Sequence, residues 1–215
     1  MSEQEINTLV TKTSSLSIMN NKQSKTVKEK QKPKKQKNRG TGAGGANTNL
    51  NGIKLEDKVR NTITKNSEVI ESEKTKNKWK IETVMINGNE NIRAPENAFK
   101  RYETKKYKTS KNDKLAGTIH PDDILISEIK KIINWIEAKV QKKSGSKQEV
   151  LQSYPNKIKN LKKRFPDYEI NYIYVLDNYF KDNAKAEIKD LKDDNISFIF
   201  DNDTNFEKNL LKLIK

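Results

Sequence analysis

HPDDILISEIKKIINWIEAKVQKKSGS, residues 120–146, contains two apolar runs parted by a short polar patch. Two such runs around a polar break read as a β-hairpin. Its second arm, IINWIEAKV, is apolar except where Glu137 and Lys139 interrupt it. Residues i and i+2 leave a strand on the same face, so Glu137, Lys139 and Gln141 are expected to point one way while Ile132, Ile136, Ala138 and Val140 point into the core. A buried carboxylate or ammonium is costly unless it is paired or bound to a metal. An ion pair at a strand end is one solution. The first arm suggests another. With the turn near Ile129 and Lys130, antiparallel partners have positions that sum to about 259, which sets Asp122 opposite Glu137. Two carboxylates at that separation repel unless a divalent cation lies between them. The hairpin end is therefore a candidate Mg²⁺ site beside a lysine, which is equipment for phosphodiester hydrolysis.

The flanking segments alternate between helical and extended patterns. Leu50, Ile53, Val59 and Ile63 fall at roughly helical spacing from residue 48 onward, with Asn49 or Asn51 available as N-cap and Gly52 weakening the first turn. KWKIETVMI (78–86) reads as a strand, and no clear pattern emerges between Asn87 and Gly117. SKQEVLQSYPNKIKNLKKRF (146–165) reads as a helix capped by Ser146 and broken or kinked at Pro155. EINYIYVLDNYF (169–180) is a near-continuous apolar strand, AKAEIKDLKDD a short helix, NISFIF (195–200) a buried strand and FEKNLLKLIK an amphipathic helix. The expected order is helix, three strands, helix, strand, helix, strand, helix. That order predicts an α/β fold, a central mixed sheet flanked by helices.

Composition narrows the chemistry. The chain has 215 residues, no cysteine and one histidine, His120. Disulfides, thiol catalysis, cysteine zinc sites and most hydrolase triads are thereby excluded, leaving carboxylates, lysines and a hard, oxygen-loving metal. The net charge of +15 points to a polyanionic partner, nucleic acid before anionic membrane. Neither an apolar run near 18 residues nor a secretory h-region occurs, so a cytoplasmic protein, bacterial or in a virus-infected host cell, is expected. The charge is concentrated: residues 1–50 hold ten Lys and Arg against three acids, 98–115 seven against two, and 137–165 nine against two. Residues 1–38 lack hydrophobic periodicity and read as a disordered basic tail, leaving 39–215 as the folded domain.

RGTGAGGANTNLNGIKLE (39–56) carries five of the eight glycines. It is not a phosphate-cradling P-loop, because no Gly-Lys-Ser or Gly-Lys-Thr occurs. Nor is it a dinucleotide fingerprint: GxGxxG begun at Gly42 meets Asn47 where a glycine is required, and TVKEKQKPKKQKNR before it is no buried strand.

Pro121-Asp122, followed by Glu137-Ala138-Lys139 with a helix before and a helix plus strand after, resembles the PD-(D/E)xK nuclease superfamily. The longer run, RGTGAGGANTNLNG, then PDDILI, IEAKVQKKSGSKQEVLQS and YIYVL, is similar to type II restriction-endonuclease-like proteins, over residues 39–180. The resemblance implies a restriction-endonuclease-like core in which Asp122, Glu137 and the Ala138 backbone carbonyl hold Mg²⁺ while Lys139 orients or deprotonates the attacking water. It also implies that Glu56 assists the metal site, with Asp57 beside it, and that Asp123 is a second candidate for the role of Asp122. Implied too are double-stranded DNA as substrate, a homodimer if the recognition site is palindromic, and a companion DNA methyltransferase.

On that resemblance the glycine-rich stretch becomes a loop that approaches DNA closely, its glycines freeing backbone N–H groups to reach phosphates, the alternative being a flexible linker between tail and domain. Arg39, Gly42, Gly44, Gly45, Asn47, Asn49 and Asn51 are its candidate contacts, the asparagines through amides that pair with adenine edges. Gln141, Lys142, Lys143, Ser144 and Lys147 after the Glu-x-Lys motif are further candidates, as is the segment KRYETKKYKTSKNDK with Tyr102 and Tyr107. A structure-directed repair or recombination nuclease, or a catalytically inactive DNA-binding protein of the same fold, would share much of this equipment.

Overall fold

The expected hairpin forms the centre of the sheet, as strands Asp123–Ser127 and Ile132–Lys139. A computed structural model describes residues 45–107, 120–142 and 150–215, with the side chains of 45–49 and 107 excepted. Strand β4 (Asp123–Ser127) runs antiparallel to β5 (Ile132–Lys139), with Asp123 opposite Ile136 and Ser127 opposite Ile132. That is the register expected from the turn position. Lys131 closes the turn at φ 55, and the Lys130 N–H donates to Ser127 Oγ at 3.2 Å.

Around this pair lie β1 (Glu68–Ser72), β2 (Glu82–Ile86), β3 (Asn89–Arg93), β6 (Glu169–Leu176) and β7 (Ser197–Phe200). The seven strands stand in sequence order, antiparallel from β1 to β5 and parallel from β5 to β7. The architecture is α/β, a mixed sheet flanked by helices, with two more strands than the sequence patterns suggested. The β2–β3 hairpin turns on Asn87 (φ 50) and Gly88 (φ 71), a left-handed pair that Asn-Gly accepts at little cost. That dipeptide was the available signal for β3, which carries too little apolar character to be recognised by alternation alone.

Helices cover both faces. On one, α1 (Gly45–Lys65) and α6 (Phe206–Leu213) bury Leu55, Val59, Ile63, Phe206 and Leu210 against Leu125, Ile136, Ala138 and Val175. On the other, α2 (Asn97–Tyr107), α3 (Tyr154–Arg164), α4 (Asn178–Asn183) and α5 (Lys185–Asp193) bury Phe99, Tyr154, Leu161, Phe180 and Leu191 around Trp135 and Tyr172. The Phe99 ring meets Trp135 edge-on at 5.4 Å, and losing an aromatic so enclosed costs about 3–5 kcal/mol.

Several expectations are corrected. Both faces of β5 are core, because Trp135 and Ile133 share the Glu137 face; the strand is buried on two sides as parallel-sheet strands are. Helix α1 begins at Gly45, so Gly45, Asn47, Asn49 and Asn51 belong to a helix and not to a loop, and neither Asn49 nor Asn51 is its cap. Leu50 and Ile53, placed with Val59 and Ile63 at helical spacing, are exposed. The expected break at Pro155 is present, since Val150 and Leu151 are helical, Gln152 and Ser153 form a turn, and Pro155 sits in the first turn of α3, where its missing N–H is unneeded. Of 78–86 only Glu82–Ile86 is strand, and Asn178 to Phe180, expected as the end of the extended run 169–180, open the helix Asn178–Asn183. Arg39, Gly42, Gly44, Lys143, Ser144 and Lys147 lie outside the described residues, as does the tail.

Candidate active site

The two ends of the central hairpin converge where the sequence arithmetic put them. Asp122 lies one residue before β4, and its Oδ2 accepts the Ala138 N–H at 2.7 Å. Its own N–H donates to the Ile136 carbonyl at 3.2 Å. Strand alternation, which turns the Ile136 carbonyl and the Ala138 N–H toward β4, directs the Ala138 carbonyl to that same side. Glu137 and Lys139 project from the opposite face of β5 to Ala138, with Lys139 Nζ 2.5 Å from Glu137 Oε1.

Three more contacts converge on Glu137. Lys157 Nζ of α3 reaches both carboxylate oxygens, at 2.8 and 2.9 Å, and the Tyr172 hydroxyl of β6 donates to Oε2. Burial pushes Glu137 up, but the ammonium groups of Lys139 and Lys157 outweigh it and hold the carboxyl below its ordinary value. Asp122 goes the other way. Burial raises it to about 6, Lys139 and the Ala138 N–H oppose the rise, and Glu56 and Glu137 add to it as like charges. Glu56, Asp122, Glu137 and Lys139 thus share one electrostatic site.

The segment bearing Asp122 is held from α1. Arg60, buried, donates through Nε to the Asp122 carbonyl at 3.3 Å and through Nη2 to Glu56 at 3.3 Å and Glu96 at 2.5 Å. Its Nη1 reaches Asp57 at 3.3 Å, and its guanidinium lies 4.4 Å from the centre of the Trp79 ring. The Glu96 N–H clamps the Pro121 carbonyl at 3.0 Å, from a backbone at φ 47 that a residue with a side chain adopts at a cost. Asp57 therefore faces Arg60, while Glu56 is the one of the two that acts on Asp122.

Asp123 serves a different purpose. It is fully buried on the α1 face and receives Arg93 through Nε at 3.2 and 3.1 Å and Nη2 at 2.6 Å. Adjacent strand residues face opposite ways, so of the two aspartates in Pro-Asp-Asp it is Asp122 that turns to the side of Glu137 and Lys139, whose charges act on its carboxyl.

The proposed nucleic-acid contacts fare unevenly. Gln141 is buried, and its N–H donates to Asp177 at 3.2 Å. Lys142 is exposed and sits 3.3 Å from Asp177. Tyr102 belongs to the core, its hydroxyl donating to Glu128 at 2.6 Å, and is not a surface contact. Asn51 is half-buried on α1. Lys157, Tyr172 and Arg60 went unnoticed in the sequence. For Lys157 a signal existed: it sits three residues after Tyr154 and four before Leu161, on the apolar stripe of its helix, where a lysine requires an acidic partner.

Among the described residues no three Asp, Glu or His side chains form a metal-holding group. Magnesium does not require one, since it is ordinarily held by one or two carboxylates with water filling the remaining positions. Asp122, with its raised carboxyl beside like charges, Glu137 and the Ala138 carbonyl are hard oxygen donors that fit such an ion. No helix among the described residues is long and apolar enough to cross a membrane. Comparison with protein-family models, with curated proteins and with solved structures returned no match for the chain.

Proposed function

We propose that this protein is a Mg²⁺-dependent endonuclease hydrolysing phosphodiester bonds in double-stranded DNA, of the type II, sequence-specific kind. One observation carries the proposal: the Ala138 N–H ties Asp122 to the middle of the Glu137-Ala138-Lys139 triplet at 2.7 Å, uniting two carboxylates and a lysine on a chain of net charge +15. A helix before, the antiparallel β3–β4–β5 set, then α3 and β6 parallel to β5 support a restriction-endonuclease-like core.

Within the site, Asp122, Glu137 and the Ala138 carbonyl would hold the cation, with Glu56 at its edge. Bound there, the ion supplies charge neutralisation at the phosphodiester. Lys139, as an ammonium beside Glu137, would orient the attacking water and face the charge that builds on phosphorus. Lys157 and Tyr172 hold the Glu137 carboxylate in place, and Arg60 and Glu96 hold the Asp122 segment. A homodimer matches a palindromic site, and a companion methyltransferase would protect host DNA.

Incubation of unmodified duplex DNA with Mg²⁺, followed by sequencing of the fragment ends, tests the proposal. Discrete fragments with a common end sequence are expected, with Mn²⁺ replacing Mg²⁺ and Ca²⁺ supporting binding without cutting. Full cleavage in EDTA would overturn the metal mechanism. Fragments without a common end sequence would point to a structure-directed nuclease.

A further inference from the structure

Helix α3 is the most one-sided element among the described residues. It contains Lys157, Lys159, Lys162, Lys163 and Arg164 and no acid. Two of these cations are engaged, Lys157 with Glu137 and Arg164 with Glu103. The other three, Lys159, Lys162 and Lys163, are exposed and form no ion pair with any described residue. With Pro155 and Ile158 they line an open groove of about 480 Å³. Helix α5 offers the contrast within the same molecule: Lys185, Lys189 and Lys192 alternate there with Glu187, Asp190 and Asp193, so its face is neutral. On α2, Lys105 pairs with Glu73 and Lys106 with Glu128.

Like charges three and four residues apart on a helix repel and weaken it slightly. Lys159, Lys162 and Lys163 have that spacing, a cost that an anionic partner removes. Lys159 to Lys163 spans about 6 Å of helix, the length over which one DNA strand presents about two phosphates. At about 3.6 residues per turn the three lysines lie round the side of α3 away from Lys157, so the ridge faces outward from a helix whose inner side is tied to Glu137.

We infer that Lys159, Lys162 and Lys163 form a phosphate-binding ridge that grips the backbone of duplex DNA along the outer side of α3. The inference deepens the nuclease proposal and rests on it for the identity of the polyanion. The ridge reads no base. It sets affinity and register, as phosphate contacts do.

The test is duplex binding by the full chain in EDTA, over a range of salt, for the wild type, Lys159→Ala/Lys162→Ala/Lys163→Ala and the α5 control Lys185→Ala/Lys189→Ala/Lys192→Ala. The ridge variant should lose about tenfold or more in affinity at 0.1 M salt, and its log–log salt slope should flatten by about two units, near 0.9 for each phosphate no longer neutralised. The α5 control should keep the wild-type slope. A ridge variant with arginine at all three positions should bind as the wild type does, which separates missing charge from a damaged fold. Equal losses in both alanine variants, an unchanged slope in the ridge variant, or a flattened slope in the arginine variant would each overturn the inference. So would wild-type binding to anionic vesicles without binding to duplex. Duplex binding through the ridge without Mg²⁺-dependent cleavage would leave the ridge standing and overturn the nuclease proposal alone.

Discussion

The Asp122 carboxylate accepts the backbone N–H of Ala138 at 2.7 Å, so the acid from the first arm of the central hairpin is bonded to the residue between Glu137 and Lys139 on the second. A backbone hydrogen bond of this kind does not depend on a rotamer of the partner. It fixes the Asp122 carboxylate against the Glu137-Ala138-Lys139 segment.

Lys139→Ala is expected to reduce cleavage at least about 100-fold, the scale of losing a group that meets charge in the transition state, while duplex binding persists. Lys130→Ala and Lys189→Ala, both at exposed positions, each remove one charge elsewhere and should cut normally. Plasmid cleavage beside gel-shift titration reads both effects. Cleavage by the Lys139 variant equal to that of these controls would make the Glu-x-Lys pair structural.

The two adjacent aspartates should fail in different ways. Asp122→Asn is expected to abolish cleavage with little loss of fold and without loss of duplex binding. Asp123→Asn breaks the buried pair with Arg93, whose donors sit 2.6 to 3.2 Å away, and leaves a guanidinium uncompensated, at a cost of about 3–5 kcal/mol. Denaturant unfolding of the two variants makes the comparison. A stable, inactive Asp123 variant beside an active Asp122 variant would exchange their roles.

Stability and activity should respond to pH in opposite directions. Asp122 has its carboxyl raised from 3.8 to about 6, so the folded protein keeps a proton there that the unfolded chain releases. Stability without metal therefore falls as pH rises from about 4 to about 6, by at most about 3 kcal/mol at 1.4 kcal/mol per unit. Cation binding needs the ionised carboxylate, so cleavage should rise across the same interval, its midpoint at or below 6 once the ion favours the charged form. Melts from pH 4 to 8, with and without Mg²⁺, show both; Asp122→Asn should flatten the stability trend, and an unchanged trend would assign it to another group.

Gly52 sits inside α1, and a methyl group added there meets nothing within 4 Å. Gly52→Ala should stabilise the protein by about 0.5–1 kcal/mol, the difference between the two residues inside a helix. Duplex affinity should stay the same. A marked loss of affinity would mean that the backbone at Gly52 approaches DNA so closely that even a methyl group is excluded.

What the sequence by itself determined is the part governed by local geometry. A two-residue alternation and a short turn leave little freedom, so the pairing of Asp123 with Ile136, and with it the approach of Asp122 to Glu137, followed from counting. The apolar runs of β4, β5 and β6 were legible too, and helical spacing found Val59 and Ile63 on α1 but chose Leu50 and Ile53 where Leu55 is the buried residue. Tertiary structure decided which charges meet. Lys157 and Tyr172 reach Glu137 from α3 and β6, Arg93 neutralises Asp123 from β3, and Arg60 gathers Glu56, Glu96 and the Asp122 carbonyl from α1. Apart from Arg60 and Glu56 on one helix, these partners lie 20 to 62 residues apart in the chain, and no local periodicity encodes how two helices and a sheet dock. The same holds for Tyr102, whose lysine-rich surroundings read as surface until the packing of α2 on Trp135 and Phe165 turned it inward.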